Sequence, residues 1–455
     1  MSNLCPLDFR YGRMEMKSIF EEQSRLQYQM DVEAALARAH ARLGNIPQEA
    51  ALKIIEKANL NAVSIERVKE IEMETRHDVM ALVKALSEQC GEAGKYVHLG
   101  ATSNDIVDTA TAMQIKAAMK IIQDDIEALT LTLADLAKRE RNTLQVGRTH
   151  AQFAIPITYG FKIAGYISEL LRHHDRLIEV RPRACAGKMA GAVGTGAALG
   201  NDFLKIQEMV MDYLGITYEL AATQVVGRDR YSELICLLAN IATSCERFAT
   251  EVRNLQRSEI GEVSESFDVS KQVGSSTMAQ KKNPIVSENI CGLARIARGF
   301  VTPMFESQIL WHERDLSNSS AERFILPHVF TLVDDILVKM KDVFQHIHVD
   351  RERMLQNIES AKGLIMAEPV MMALTAKGIG RQEAHEVVRE AAMEASAKGE
   401  YLAEVLKRTE IVASLLSDEE IDSLMDPANY IGGAPEIVDM IVAEVESKFG
   451  GQSDG

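Results

Sequence analysis

The chain has 455 residues, 46% of them hydrophobic and 25% charged, and a formal net charge of -16. That balance is globular and long enough for two or three domains, and its acidity excludes nucleic acid as a general partner, because phosphates would be repelled. Few aromatics (5%) and only ten prolines point to long helices and away from a β-sandwich.

No run of 18 apolar residues occurs, so no membrane span is expected. The first residues, MSNLCPLDFR, hold no apolar signal core, and a cytoplasmic location is expected. The six cysteines (Cys5, Cys90, Cys185, Cys236, Cys245, Cys291) form no CxxC pair and read as reduced thiols. The histidine pairs His173-His174 and His346/His348 read as helix-surface residues, and neither a metal nor a cofactor is expected.

In chain order, Met16 to Leu43 predicts one amphipathic helix, broken by Asn45-Ile46-Pro47. Shorter helices fill the rest of the first 110 residues. Ile115, Met119, Ile122, Ile126, Leu129, Leu133 and Leu136 then step by four and three. Leu234, Leu238, Ile241, Cys245, Phe248, Val252 and Leu255 repeat that alternation. Such spacing is the seam of a helix bundle. Further helical patterns cover 160–178, 284–300 and 328–346, so a central bundle is expected over 111–355. Shorter helices, punctuated by Gly363, Gly378, Gly380, Pro427 and Gly432-Gly433, are expected over 356–455, with a disordered tail from Gly450. The fold class is all-α in three domains (1–110, 111–355, 356–455). Leu131, Ile235 and Leu237 are apolar off the seam, which predicts more than one neighbour per helix and association with copies of the chain. Gly191, Gly194 and Gly196 imitate a dinucleotide loop but lack a βαβ context.

Five polar constellations stand out. The densest is residues 274–284, Gly-Ser-Ser-Thr-Met-Ala-Gln-Lys-Lys-Asn-Pro. A hydroxyl there can act as a base if its anion is stabilised. A lysine and an amide can hold a carboxylate while charge builds on it. The others are Gly147-Arg148-Thr149-His150, read as a loop; His98 to Asp105; Arg76-His77-Asp78; and Trp311 to Arg323. Thr102 and Ser103 suit both a helix N-cap and a carboxylate cradle, and the two readings are compatible. His150 alone fits a structural role as well as proton transfer. Residues 76–78 fit a solvated turn as well as a site. In 311–323, Arg314, Ser319 and Arg323 suit phosphate, while internal pairing through Glu313, Asp315 and Glu322 is the competing reading.

Residues 274–284 resemble the signature loop of the fumarase/aspartase superfamily, Gly-Ser-Ser-x-Met-Pro-x-Lys-x-Asn-Pro, with Ala279 in place of the usual proline. Thr102-Ser103-x-Asp105 and Thr149-His150 resemble its two other signatures. Arg10-Tyr11, Arg76 to Val79, Thr223-Gln224-Val225 with Arg228-Asp229-Arg230, and 311–323 resemble the adenylosuccinate lyase family more narrowly. After His150 the chain reads Ala-Gln-Phe-Ala-Ile-Pro, where many relatives have Gly-x-His-Ala-Glu-Pro, so a second histidine is missing.

The resemblance implies β-elimination of fumarate from adenylosuccinate, giving AMP, and from the succinylated aminoimidazole carboxamide ribotide of purine synthesis. Ser275 would take the Cβ proton and His150 would protonate the leaving nitrogen. Lys281 and Asn283 would stabilise the carbanion. Arg10, Tyr11, Arg314, Ser319 and Arg323 would hold the phosphate and nearby groups. Thr102, Ser103 and Thr149 would hold the carboxylates, while His77, Asp78, His98 and Gln224 shape the site. It also implies small-molecule substrates and a homotetramer with shared sites. Argininosuccinate lyase, which needs no phosphate site, a carboxymuconate-type cycloisomerase and a non-catalytic structural homologue are the alternatives.

Overall fold

The computed structural model describes residues 4–266, 278 and 281–450. The expected base Ser275, its neighbour Ser276, Ala279 and residues 451–455 of the tail lie outside that set. The described residues are overwhelmingly helical, with three two-stranded ribbons.

The elements that position the site are α1 (Glu22–Arg42), α2 (Ile65–Thr75), α3 (Asp78–Cys90), α4 (Ser103–Arg139), β1 (Leu144–Thr149), β2 (Gln152–Thr158), α5 (Tyr159–Ala184), α6 (Asp229–Leu255), α7 (Ile285–Gly299) and α8 (Ser317–Gln345). Both seams are realised. Every seam residue of α4 and α6 is at most 2% exposed. Of the off-seam residues, Ile235 and Leu237 are buried, whereas Leu131 is 38% exposed.

Two expectations change. The single helix foreseen from Met16 to Leu43 is two, Met14–Phe20 and α1, parted at Glu21 with ψ 152. Gln114 Nε2 of α4 donates to Ile19 O at 2.7 Å, taking the carbonyl that a continuous helix would bond internally. His173 and His174 are buried, not on a helix surface, and His173 Nε2 lies 2.8 Å from Ser244 Oγ. A ring nitrogen with a hydroxyl partner is tolerated inside. His346 and His348 are exposed as expected.

The chain forms two compact units, and α4, α5, α6, α7 and α8 supply residues to both. The first comprises Met1–Ile126, Arg172–Cys245 and Gly292–Val338. Its core gathers Leu36, Ile54, Leu82, Leu86, Ile106, Ile206 and Val210. The second comprises Glu127–Leu171, Glu246–Cys291 and Lys339–Gly455. It holds the β1–β2 hairpin and a core of Val370, Leu374, Val388, Leu402, Leu406 and Ile421.

A buried ion pair anchors the start of α4. Lys188 and Asp105 form it with both side chains fully buried. Asp105 also accepts from Thr102 N at 2.8 Å, Ala190 N at 2.9 Å and Gly191 N at 3.0 Å. Ala190 and Gly191, at the start of the glycine-rich stretch, therefore commit their backbone donors to Asp105, which agrees with rejecting a dinucleotide loop there. Lys188→Met removes the cation and strands a buried carboxylate. The expected cost is about 3–5 kcal/mol, read as a lower denaturant midpoint. An unchanged midpoint would show that Asp105 does not need its partner.

Candidate active site

In the first unit a cavity of about 810 Å³ opens where five stretches of sequence converge. Eight of the candidate site residues line it: His77, Asp78, Thr102, Ser103, Gln224, Arg314, Ser319 and Arg323. The lining holds five arginines (Arg25, Arg76, Arg228, Arg314, Arg323) against four carboxylates (Glu22, Glu72, Asp78, Glu322). A chain of net charge -16 thus gathers positive charge in one place, which is what anion binding requires.

Local structure explains each placement. Arg76 closes α2 in the left-handed region (φ 53), so the chain turns sharply into α3. His77 caps α3, its Nδ1 accepting from Met80 N at 3.3 Å. That contact puts the neutral ring's proton on Nε2, which lies 3.4 Å from Ser103 Oγ. The α4 helix starts at Ser103, so Thr102 holds the N-cap position, and the Asp105 side chain reaches back to its N–H. The cap and cradle readings of this segment coexist.

The floor is an ionic clamp. Arg228, 4% exposed, meets Asp108 of α4 through paired bonds of 2.7 and 2.9 Å. It also meets Glu322 of α8 at 2.8 and 3.2 Å. Burial opposes the Arg228 charge, but the Asp108 carboxylate more than offsets it, and its pKa is raised. Asp315 folds the entry to α8, accepting from Ser317 N at 2.7 Å and Trp311 N at 2.8 Å. Hydrogen bonds from the Ser317 hydroxyl and these backbone groups hold its pKa below the usual range. Asp315 and Glu322 are thus met partly from within 311–323, by Trp311, Ser317 and Asn318, while the two arginines of the segment turn to partners outside it. Arg314 bonds Gln224 Oε1 at 3.0 Å and Arg323 bonds Asp78 Oδ2 at 3.0 Å.

Three expected residues of this unit lie elsewhere. His98, in the left-handed region (φ 64), pairs with the buried Glu33 at 2.6 Å and is absent from the cavity lining. Burial opposes its protonation, Glu33 outweighs that, and its pKa is raised. Arg10 is exposed, its guanidinium 5.9 Å from the Tyr11 ring centroid. Gly12 and Arg13 anchor the chain that carries this pair. Gly12 has φ 82, and a Cβ there would lie 2.2 Å from Thr331 of α8, so glycine is required. Arg13 bridges Asp125 (2.7 and 2.9 Å) and Asp334, which is fully buried.

In the second unit, Thr149 and His150 stand at the exposed tip of the β1–β2 hairpin, not in the loop foreseen. Leu144 to Thr149 pair with β2, and Pro156, buried, lies opposite Val146 beside the register shift between Val146 and Arg148. His150 (φ 52) and Ala151 (φ 61) form a two-residue turn with both φ positive. Such backbone costs a non-glycine residue about 1 kcal/mol or more, and strain of this kind concentrates at functional sites. The hairpin is tied down by Glu262, which accepts from Gln145 at 2.7 Å, Asn357 at 2.7 Å and Arg148 at 3.0 Å. Lys281 is exposed and Asn283 half-buried, just ahead of α7. Glu265 accepts from Val286 N at 3.1 Å and Ser287 N at 2.7 Å, capping α7.

A family model described as "Lyase" matches residues 9–299, and one described as "Adenylosuccinate lyase C-terminus" matches 363–441. The adenylosuccinate lyase of Pyrococcus abyssi is 51% identical over 97% of this chain and 98% of its own. The chain belongs to the adenylosuccinate lyase family. Among solved structures, a fumarate lyase from Mesorhizobium sp. BNC1 is 35% identical, with a TM-score of 0.87 over 95% of this chain and 98% of that one. The 3-carboxy-cis,cis-muconate lactonizing enzyme from Pseudomonas putida is 33% identical, with a TM-score of 0.88 over 98% and 99%. The fold is thus the all-α fold of the fumarase/aspartase superfamily, and the family is one of lyases acting on small molecules. Among the described residues no helix is long and apolar enough to cross a membrane.

Sequence reasoning missed Lys188, Asp108, Arg25 and Asn318. Only Lys188 left a signal, a lone lysine between Cys185-Ala186-Gly187 and Met189-Ala190-Gly191.

Burial, and then the neighbouring Asp334 carboxyl, push Asp125 up to about 8. A carboxyl raised on folding stabilises the folded state fully below its ordinary range and loses that contribution as pH rises through its folded value. Stability should therefore fall between about pH 4 and pH 8, and Asp125→Asn should flatten the fall. Thermal midpoints across that range test it; an unaltered slope in the variant would remove Asp125 as the source.

Proposed function

We propose that this chain cleaves adenylosuccinate to AMP and fumarate, and the succinylated aminoimidazole carboxamide ribotide by the same β-elimination, in purine biosynthesis. One observation carries the reading: the arginine-rich cavity unites Arg314, Ser319 and Arg323 with Gln224, Thr102, Ser103, His77 and Asp78. A fumarate-releasing lyase with no phosphate to bind needs no such group of guanidiniums.

In this reading Ser275, as its alkoxide, takes the proton from the succinyl Cβ. The electron pair left behind spreads into the adjacent carboxylate, where Lys281 and Asn283 stabilise it. The pair then forms the fumarate double bond as the C–N bond breaks, and His150 delivers a proton to the departing nitrogen. Arg10, Tyr11, Arg314, Ser319 and Arg323 hold the phosphate end, and Thr102, Ser103 and Thr149 the carboxylates. His77, Asp78, His98 and Gln224 shape the site. For His98 the support is indirect: its bond to Glu33 fixes the turn leading to Thr102.

The chain is organised as three domains, 1–110, 111–355 and 356–455, and works as a cytoplasmic homotetramer with shared sites. Support for assembly comes from apolar side chains left exposed: Phe153 (42%) and Ile155 (41%) beside His150, and Ile296 (57%) on α7. Buried against another copy, they would leave water.

Purified protein should convert adenylosuccinate, followed by its absorbance, and leave argininosuccinate untouched. The reverse preference would show that Arg314 and Arg323 were misread. Ser275→Ala should lower turnover by ~10²–10⁴-fold while AMP binding persists; near-normal turnover removes Ser275 as the base. If sites are shared, mixing inactive Ser275→Ala with inactive His150→Gln restores activity, and a mixture that stays dead argues for self-contained sites.

A further inference from the structure

Asn318 lies in the first turn of α8, is 1% exposed, and lines the cavity. Its Nδ2 donates to Glu322 Oε1 at 2.8 Å. Glu322 is held in turn by Arg228, which donates to both of its oxygens. These contacts fix which way the amide faces, since the reverse orientation would set Oδ1 against a carboxylate oxygen. Asn318 Oδ1 is then a buried acceptor without a partner among the described residues. A buried acceptor left unpaired is costly, and at a cavity wall a ligand donor can relieve that cost.

The chemistry of the acceptor selects its partner. A carboxylate carries no proton to donate near neutral pH, a phosphate monoester is mostly dianionic there, and both are repelled by a carbonyl oxygen, so Oδ1 marks a neutral, donor-bearing part of the ligand. The two proposed substrates share two kinds of neutral donor, the ribose hydroxyls and the N–H at the bond that breaks. Asn318 adjoins Ser319 and shares α8 with Arg323, both assigned to the phosphate end. The neutral group nearest a nucleotide's phosphate is its ribose. We propose that Asn318 Oδ1 accepts a hydrogen bond from the 2′- or 3′-hydroxyl of the bound nucleotide, making Asn318 a specificity residue for ribonucleotides. The assignment of the group rests on the proposal that the cavity binds a nucleotide.

The test is calorimetric binding of AMP, 2′-deoxy-AMP and 3′-deoxy-AMP to the full-length protein, alongside turnover of adenylosuccinate. Wild type should bind one of the deoxy forms roughly 10-fold more weakly than AMP. In Asn318→Leu and the smaller Asn318→Ser, AMP should weaken by a similar factor and the preference for the hydroxyl should vanish. The comparison within wild type stands even if a variant fails to fold. Equal binding of all three nucleotides by wild type, or a preference that survives in a folded variant, overturns the assignment even where adenylosuccinate is turned over. A protein that turns over nothing but shows a ribose preference lost on substitution keeps the Asn318 assignment and overturns the lyase reading. No binding of any nucleotide overturns both.

Discussion

The cavity depends on one constraint, that buried carboxylates of α4 must be neutralised in place. Asp105 and Asp108 sit in the first two turns of that helix and are both buried. Each carries a charge whose removal from water costs several kcal/mol unless a cation and further donors meet it. Asp105 is met by Lys188 and three backbone N–H groups, and Asp108 by Arg228 and by Val226 N at 2.9 Å. All of these partners but Thr102 come from chain segments some 80 to 120 positions away. Satisfying them brings 188–191 and 226–228 to the start of α4, and Glu322 on the same guanidinium brings α8. Thr102, Ser103, Gln224 and Ser319 are carried along by that requirement.

The same logic divides the arginines of the cavity. Arg228 is locked between two carboxylates and nearly inaccessible, so it acts as framework. Arg314 is held by a neutral amide, with its Nε buried and without a partner among the described residues. Arg323 meets a half-exposed Asp78, and its own side chain is 59% exposed, so solvent screens that pair. An incoming anion can replace such contacts at little cost. What holds each guanidinium, more than its presence in the cavity, distinguishes structure from binding.

Much of this was legible in the amino-acid sequence. The four-and-three spacing of Ile115 to Leu136 and of Leu234 to Leu255 exposed the long helices, because a 3.6-residue period leaves its mark wherever one face is buried. Eight of the residues that line the cavity were legible as members of dense polar clusters. Their partners were not. Nothing local distinguishes Asp108 from any other aspartate on a helix, since its role exists only once Arg228 arrives from 120 positions away. The break at Glu21 was hidden for the same reason, being fixed by Gln114 and by no local propensity. Gly147 to His150 reads as a loop, and the hairpin stays hidden, because its turn, His150-Ala151, lacks the Asn-Gly or Gly that normally announces two positive φ values.

That last exception carries a physical implication. Histidine and alanine occupy left-handed positions where glycine would be cheaper, and nothing in the turn itself compensates. The hairpin tolerates them because its base is over-determined. Glu262, fully buried, gathers Gln145, Arg148 and Asn357, and the strands pair from Leu144 to Thr149. A rigid base fixes the direction in which the imidazole leaves the chain, at an exposed tip. A flexible tip would offer the ring many directions and would need ordering at each encounter with a ligand. Strain at Ala151 and rigidity at Glu262 are therefore two parts of one arrangement, in which the ordering is completed during folding so that His150 is presented in a single direction.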